Sequence, residues 1–575
     1  MRFAEVTDRY TAEEMAAFYE TGQWQRETLW DVVERHARAH ADRLFLTDNT
    51  TSLTFGDLHD RALALAVGLH RRGLRAGDRV TVQLPNWTEF VVIAAAVWRL
   101  GAVLVPILPI YRRDEVGYIC RNARSRLAVT AGVFKGFDYP AMYADLRAEL
   151  PDLTDVVVVR GIGAQGAQGA QGAQGAHEAP GSVSIDLDAL FVDLDDMDAP
   201  SAEAAAAEIG PGVGPDAPFV VIYSSGTTSF PKGCLHTFNT VACGARILAR
   251  GWRLTSADVQ FGPSPVTHTT GLVTSIMVPL IHGSGSHIME SWEPNLGLQQ
   301  IKAHGCTITV TATTFLQMVL DTFDPRLHDA STMRVWVAAG APIPASVIEQ
   351  ANGVFPDLKV LSLYGRTENV TTTMCTVDDD PIRSLTSDGR PLPMQSIRIV
   401  DEAGNELPRG QEGDIAYKGA MHMLEYIGKP AETAELFTPD GYSRSGDLGH
   451  MDADGYVRVT GRTKDIVIRG GLNISVRQVE DILIGHPAVS RVAVVAMPDE
   501  RLGEKACCFV VLAEGSAPLS LEEVTAYLLE HGLARVKMPE RIEVVDALPT
   551  TATGKIQKNV LRDRIAATLL AESAG

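Results

Sequence analysis

Tyr223 to Gly233 read YSSGTTSFPKG, directly after the apolar run Phe219-Val220-Val221-Ile222. A buried strand that ends in glycines and short hydroxyls offers backbone N–H groups and hydroxyls to an anion, and Lys232 can reach a phosphate's outer oxygens. Gly-Lys-Ser/Thr, the P-loop signature, is missing, so any phosphate cradle here is of another kind. Alone, the loop equally fits a turn without function. Four further stretches join polar side chains to glycine turns: AAGAP (Ala338 to Pro342), YGRTE (Tyr364 to Glu368), YSRSGDLGHMDADGYVRVTGRTKDIVIRGGLNIS (Tyr442 to Ser475) and PTTATGKIQKNVLR (Pro549 to Arg562).

The elements that must position these stretches alternate. Leu58, Leu65 and Leu69 keep helical spacing up to Gly73, and Val80, Val82 and Leu84 then alternate as a strand before Pro85. Glu89 to Leu100 is helix-like and leads into AVLVPI. Strands are expected at Val156–Val159, Thr307–Val310, Val335–Ala338, Val360–Leu363 and Ile397–Val400. This order predicts an α/β fold with helix-covered sheets. A triplet tract at 163–176, GAQGAQGAQGAQGA, has no proline inside it and reads as a low-complexity surface insertion rather than collagen. The final stretch forms a separate small unit, with helices at Arg477–Ile484 and Leu521–Leu529 and strands at Val492–Val495 and Cys508–Leu512. The division predicted is 1–461 and 462–575.

At 575 residues the chain exceeds a single core. Its longest apolar run, Phe90 to Trp98, is far shorter than the roughly 18 residues of a membrane span, and no basic, then apolar leader opens the chain, so a cytoplasmic protein is expected. Seven scattered cysteines without a C-x-x-C pair suggest neither zinc nor a disulfide scaffold. A net charge of −20 argues against nucleic acid as a partner but not against an anionic ligand, which local groups decide.

In this order and spacing the five stretches resemble the core motifs of the adenylate-forming superfamily of acyl-CoA synthetases, luciferases and peptide-synthetase adenylation domains. The resemblance spans about residues 30 to 565. It implies a large N-terminal domain of mixed sheets with a β-barrel-like subdomain, and a small mobile α+β C-terminal domain hinged near Lys464. It further implies an AMP-forming acid–thiol ligase using ATP, Mg²⁺ and CoA, working as a monomer or homodimer. Ser225, Gly226, Thr227, Thr228 and Lys232 would then hold the outer phosphates. Glu368 would hold Mg²⁺ and Thr367 would reach the α-phosphate. Gly340, Ala341 and Pro342, with Tyr364 and Gly365, would line the nucleotide, and Asp447 and Arg462 would bind the ribose. Lys555 would bridge the acyl carboxylate and the α-phosphate, and His268, in SPVTHTTGL, would gate the thiol channel. Gly470, Gly471 and Leu472 would border the pantetheine arm of CoA.

The stretches LPNWTEF, VPILPIYRRDEV and FKGFDY are similar to medium-chain and cyclohexanecarboxylate CoA ligases, which implies an apolar, bulky or alicyclic acid, including acids of secondary metabolism. Two departures bear on ATP. Ser229 stands where the family's loop has its second glycine, and Arg366 stands where an apolar or small residue is usual. A guanidinium there repels Mg²⁺ and Lys555 or attracts phosphate, depending on its rotamer. Two alternatives therefore stay open: thioester formation alone from a preformed acyl-adenylate, and delivery to a carrier protein's phosphopantetheine.

Overall fold

A computed structural model describes residues 3–160, 184–186, 207–224, 231–340, 343–355, 357–469, 472–551 and 555–574. The tract at 163–176 lies outside them. Among the described residues a nine-stranded sheet and an eight-stranded sheet form the large domain. Strands Leu44–Thr47, Gly285–Ile288, Val259–Gly262, Ile308–Thr311, Val335–Ala339 and Lys359–Tyr364 run parallel through the first. Antiparallel edge strands make it mixed. In the second, Pro218–Tyr223, Val103–Pro106, Arg79–Gln83, Leu127–Ala131 and Asp155–Val159 are parallel, and Gly233–Thr237 returns antiparallel.

Local chemistry agrees with this architecture. Thr54 caps the helix Phe55–Arg71 in a capping box with Asp57, and Gly73, at φ +89°, turns the chain out of it. The helix Thr88–Arg99 buries Phe90 through Trp98, so the apolar run is an all-round core helix. The large core unites residues of both sheets. No helix among the described residues is long and apolar enough to cross a membrane. All seven cysteines are free and buried.

A four-stranded antiparallel sheet, Gln395–Val400, Gly413–Gly419, Ser443–Met451 and Val457–Arg462, completes the large domain as its barrel-like subdomain. The small domain is α+β, built on Val467–Arg469, Leu472–Ile474, Val489–Asp499, Gly503–Leu512 and Arg541–Val544. The helices Val476–Leu483 and Leu521–Glu530 pack on one side of it, and Lys558–Ala574 closes the described chain.

Candidate active site

Four strand ends and one loop of the small domain meet at this site. Lys232 sits just before the strand Gly233–Thr237, where its carbonyl accepts from the Ser224 N–H at 2.9 Å. Its ammonium pairs with Glu432 and lies 4.9 Å above the Tyr426 ring. Ser225, Gly226, Thr227, Thr228 and Ser229 lie outside the described residues.

The strand Lys359–Tyr364 delivers the YGRTE turn, with Gly365 directly after it and Thr367 opening a short turn. His236 Nε2 donates to the Thr367 carbonyl at 2.8 Å, which ties this turn to the strand beside Lys232. Glu368 is 7% exposed, and Tyr426 donates its hydroxyl to Oε1 at 2.5 Å. Burial alone would raise this carboxyl, yet Arg366 and the tyrosine hold it below its ordinary value. The Arg366 guanidinium turns toward carboxylates: Nη2 is 3.5 Å from Glu368 Oε1, Nε is 3.6 Å from Asp447 Oδ2, and Nη1 donates to the Tyr417 hydroxyl at 3.4 Å.

Asp447 and Arg462 are cross-strand partners in the four-stranded sheet, which sets their side chains side by side. Arg462 Nε donates to Asp447 Oδ1 at 2.8 Å, and the Tyr364 hydroxyl donates to Oδ2 at 2.6 Å. Against burial, which opposes ionisation, Arg462 and Arg366 keep Asp447 a carboxylate. A buried, ionised, two-oxygen acceptor suits a vicinal diol.

Lys555 enters from the small domain. Its N–H donates to Thr551 Oγ1 at 3.1 Å, and its carbonyl accepts from Thr551 N at 2.7 Å, closing a narrow turn. The side chain lies against Gly340: a Cβ on that glycine would stand 2.9 Å from Lys555 Cε, and Gly340 adopts φ +79°. Glycine is thus required there twice, for its backbone and for its missing side chain. Burial, followed by Arg462, lowers Lys555 to about 8, although Asp447 and Glu368 pull the other way.

His268 is 8% exposed, and burial, aided by the Lys555 charge, lowers it to about 3, so it is neutral. Gly271, three residues on, packs so tightly that a Cβ would meet the Pro265 carbonyl at 2.1 Å. That contact explains why a glycine stands six residues after Pro265.

The site therefore unites Lys232, Tyr364, Gly365, Thr367, Glu368, Asp447, Arg462, Lys555, Gly340 and His268. Ala341, Pro342, Gly470 and Gly471 lie outside the described residues. Leu472 is 53% exposed in the small domain's first hairpin. Lys464 falls in the turn Thr463–Asp465, whose Asp465 accepts from Arg562 at 3.1 Å. Sequence reasoning missed Tyr426, Tyr417, Glu432 and His236. Each reads as an ordinary strand or helix residue, and only long-range packing brings it to the site. Among the described residues no cluster of three or more His, Cys, Asp or Glu forms a metal cage. A lone ionised Glu368, with both of its described partners on Oε1, still fits Mg²⁺, which takes one or two carboxylates beside substrate phosphates.

This fold and site define an adenylate-forming enzyme of the AMP-forming acid–thiol ligase type. The chain belongs to the AMP-binding enzyme family, whose model matches residues 33–427, followed by the AMP-binding enzyme C-terminal domain at 478–555. It is 34% identical over 561 residues to the medium-chain fatty-acid–CoA ligase of Escherichia coli (strain K12), covering 97% of this chain and 94% of the relative. It is 33% identical to the 3-[(3aS,4S,7aS)-7a-methyl-1,5-dioxo-octahydro-1H-inden-4-yl]propanoyl:CoA ligase of Rhodococcus jostii (strain RHA1), covering 94% and 99%. ATP-bound MatB from Rhodopseudomonas palustris superposes with a TM-score of 0.78 at 28% identity, covering 95% and 100%.

Proposed function

We propose that the protein joins an apolar, bulky or alicyclic carboxylic acid to CoA through an acyl-adenylate. The observation that carries this reading is Lys555, delivered by the small domain against Gly340, within the field of Asp447 and Glu368 and with its charge felt at His268. In the first step an acyl carboxylate oxygen bonds to the α-phosphorus of ATP as the bond to pyrophosphate breaks. Two anions must meet, so Lys555 screens the developing charge. Lys232 and the hydroxyls beside it hold the outer phosphates, Thr367 faces the α-phosphate, and Asp447 with Arg462 orients the ribose. Mg²⁺ supplies charge neutralisation at the phosphates, and Glu368 is the residue that would hold it.

In the second step a thiol sulfur bonds to the acyl carbonyl carbon, AMP leaves, and the thiol proton passes to solvent. Neutral His268 adds no further positive charge beside Lys555. Rotation of residues 462–575 about Lys464, bringing Gly470, Gly471 and Leu472 to the CoA path, completes the proposal. The names of the two curated relatives, one acting on medium-chain fatty acids and one on a bicyclic propanoic acid, support an apolar acid.

A second reading is favoured by one observation: Arg366 lies against both Glu368 and Asp447, where it competes with a metal ion. On that reading the enzyme forms only the thioester, from acyl-AMP made elsewhere. Exchange of labelled pyrophosphate into ATP, dependent on an acid from an apolar panel, tests the complete ligase. Absence of exchange together with CoA-thioester formation from the synthetic acyl-AMP selects the second reading, and neither activity sinks both.

A further inference from the structure

Arg477 lies in the small-domain helix Val476–Leu483, and its side chain is only 6% exposed. Two carboxylates and a second arginine surround it. Asp481, one turn along the same helix, has Oδ2 3.4 Å from Arg477 Nε. Asp388 of the large domain has Oδ2 3.6 Å from Nη1. Arg458, also of the large domain, reaches the same Asp481 oxygen at 3.6 Å.

None of these contacts satisfies the guanidinium: Nε, Nη1 and Nη2 are all buried without a hydrogen-bond partner. Charge-assisted hydrogen bonds run at about 2.7–2.9 Å, well inside these separations. Asp388 is committed elsewhere, since its Oδ1 accepts from Ser362 Oγ at 3.1 Å and its Oδ2 from the Val459 N–H at 2.9 Å. A buried pair with such geometry does not recover the hydration it gives up. The titration behaviour agrees: burial lowers Arg477 despite Asp388, and burial raises Asp481 despite Arg477.

We infer that Arg477 is a positioning residue that keeps the docked orientation of the small domain short-lived. Its guanidinium is buried without a direct hydrogen bond only while the helix Val476–Leu483 rests on Asp388 and Arg458. When the small domain turns away, the charge regains water, so the same residue that is strained in the adenylating arrangement favours the passage to thioester formation. This rests on the two-step reading above, in which residues 462–575 rotate. An apolar side chain of similar length would remove the strain and trap the docked state, whereas weakening Asp388 would worsen the strain and favour release.

Because all seven native cysteines are buried, spin labels can be placed on cysteines introduced at the exposed positions Glu402, in the large domain, and Glu530, in the small domain. Distance distributions in the full-length chain without ligands then report the ratio of docked to undocked molecules. The wild type is expected to populate both. Arg477→Met should raise the ratio of docked to undocked molecules about tenfold, equivalent to about 1.4 kcal/mol. Arg477→Lys, which keeps the charge, should stay near the wild type, and Asp388→Asn should move the ratio the other way.

A wild type found docked alone, or an Arg477→Met ratio that is unchanged or shifted toward release, overturns the inference. If Arg477→Met does not fold, as judged by its thermal unfolding, the Asp388→Asn shift decides. In a parallel assay, CoA-thioester formation from synthetic decanoyl-AMP should slow about tenfold in Arg477→Met and not in Arg477→Lys, a split that loss of fold would not produce. The distance measurement needs no substrate. Lack of turnover with any acyl-AMP would therefore count against the catalytic reading alone.

Discussion

The Arg366 guanidinium lies 3.5 Å from the Glu368 carboxylate, the acid proposed to hold Mg²⁺. A second cation about 4 Å from that guanidinium is repelled by roughly 4 kcal/mol at an effective dielectric near 20. Arg366→Met should therefore lower the Mg²⁺ concentration for half-maximal pyrophosphate exchange by at least about fivefold, since even a quarter of that repulsion suffices. A metal requirement unchanged or raised in this variant would show that Arg366 assists the phosphates instead.

In the proposed first step Lys555 must be protonated to screen two meeting anions, and burial lowers its amine from the ordinary 10.5 to about 8. A lysine lowered by burial loses its charge as pH rises through that value. The kcat/KM for the acid in the first half-reaction should accordingly fall above pH about 8, well below where an ordinary lysine would titrate. Lys555→Ala should cost the first half-reaction about 100-fold or more and remove this limb, while thioester formation from acyl-AMP changes little. Equal losses in both half-reactions would remove Lys555 from its assigned place.

Tyr426 donates to Glu368 at 2.5 Å and also lies beneath Lys232. Hydrogen bonds to buried charged groups contribute about 1.5–3 kcal/mol. Tyr426→Phe should reduce kcat/KM for ATP by roughly 10- to 100-fold, with the Mg²⁺ requirement rising in step. Titrating ATP at several fixed Mg²⁺ concentrations checks this, and a loss indifferent to Mg²⁺ would contradict it.

Gly340 carries φ +79° with the Lys555 stem against its Cα face. A non-glycine residue in that conformation costs about 1–2 kcal/mol before any collision is counted. Gly340→Ala should cut exchange at least about tenfold while shifting the thermal midpoint by only a few degrees. Full activity in the alanine variant would mean that Lys555 does not need this close approach.

Much of this was legible from spacing. Strands ending in glycine turns mark Tyr364 and Gly340, whereas Asp447 and Arg462 were linked only through the family resemblance, and the hairpin that makes them neighbours is seen in the structure. The helices around Leu58 and Val479 follow from apolar period alone. What remained illegible depends on contacts far apart in the chain. Tyr426 and Glu368 are separated by 58 residues and Arg366 and Asp447 by more, so no local pattern pairs them. The direction of the Arg366 side chain is likewise set by the fold, which gathers Glu368, Asp447 and Tyr417 around it. The sequence places Arg477 in a helix, and only the docked small domain reveals its burial.

Arg462 grips Asp447 at the last position of its strand, and three residues later Asp465 holds Arg562 on the terminal helix. On the proposed rotation of residues 462–575, this short span between the two ion pairs is the stretch that would have to absorb the turn.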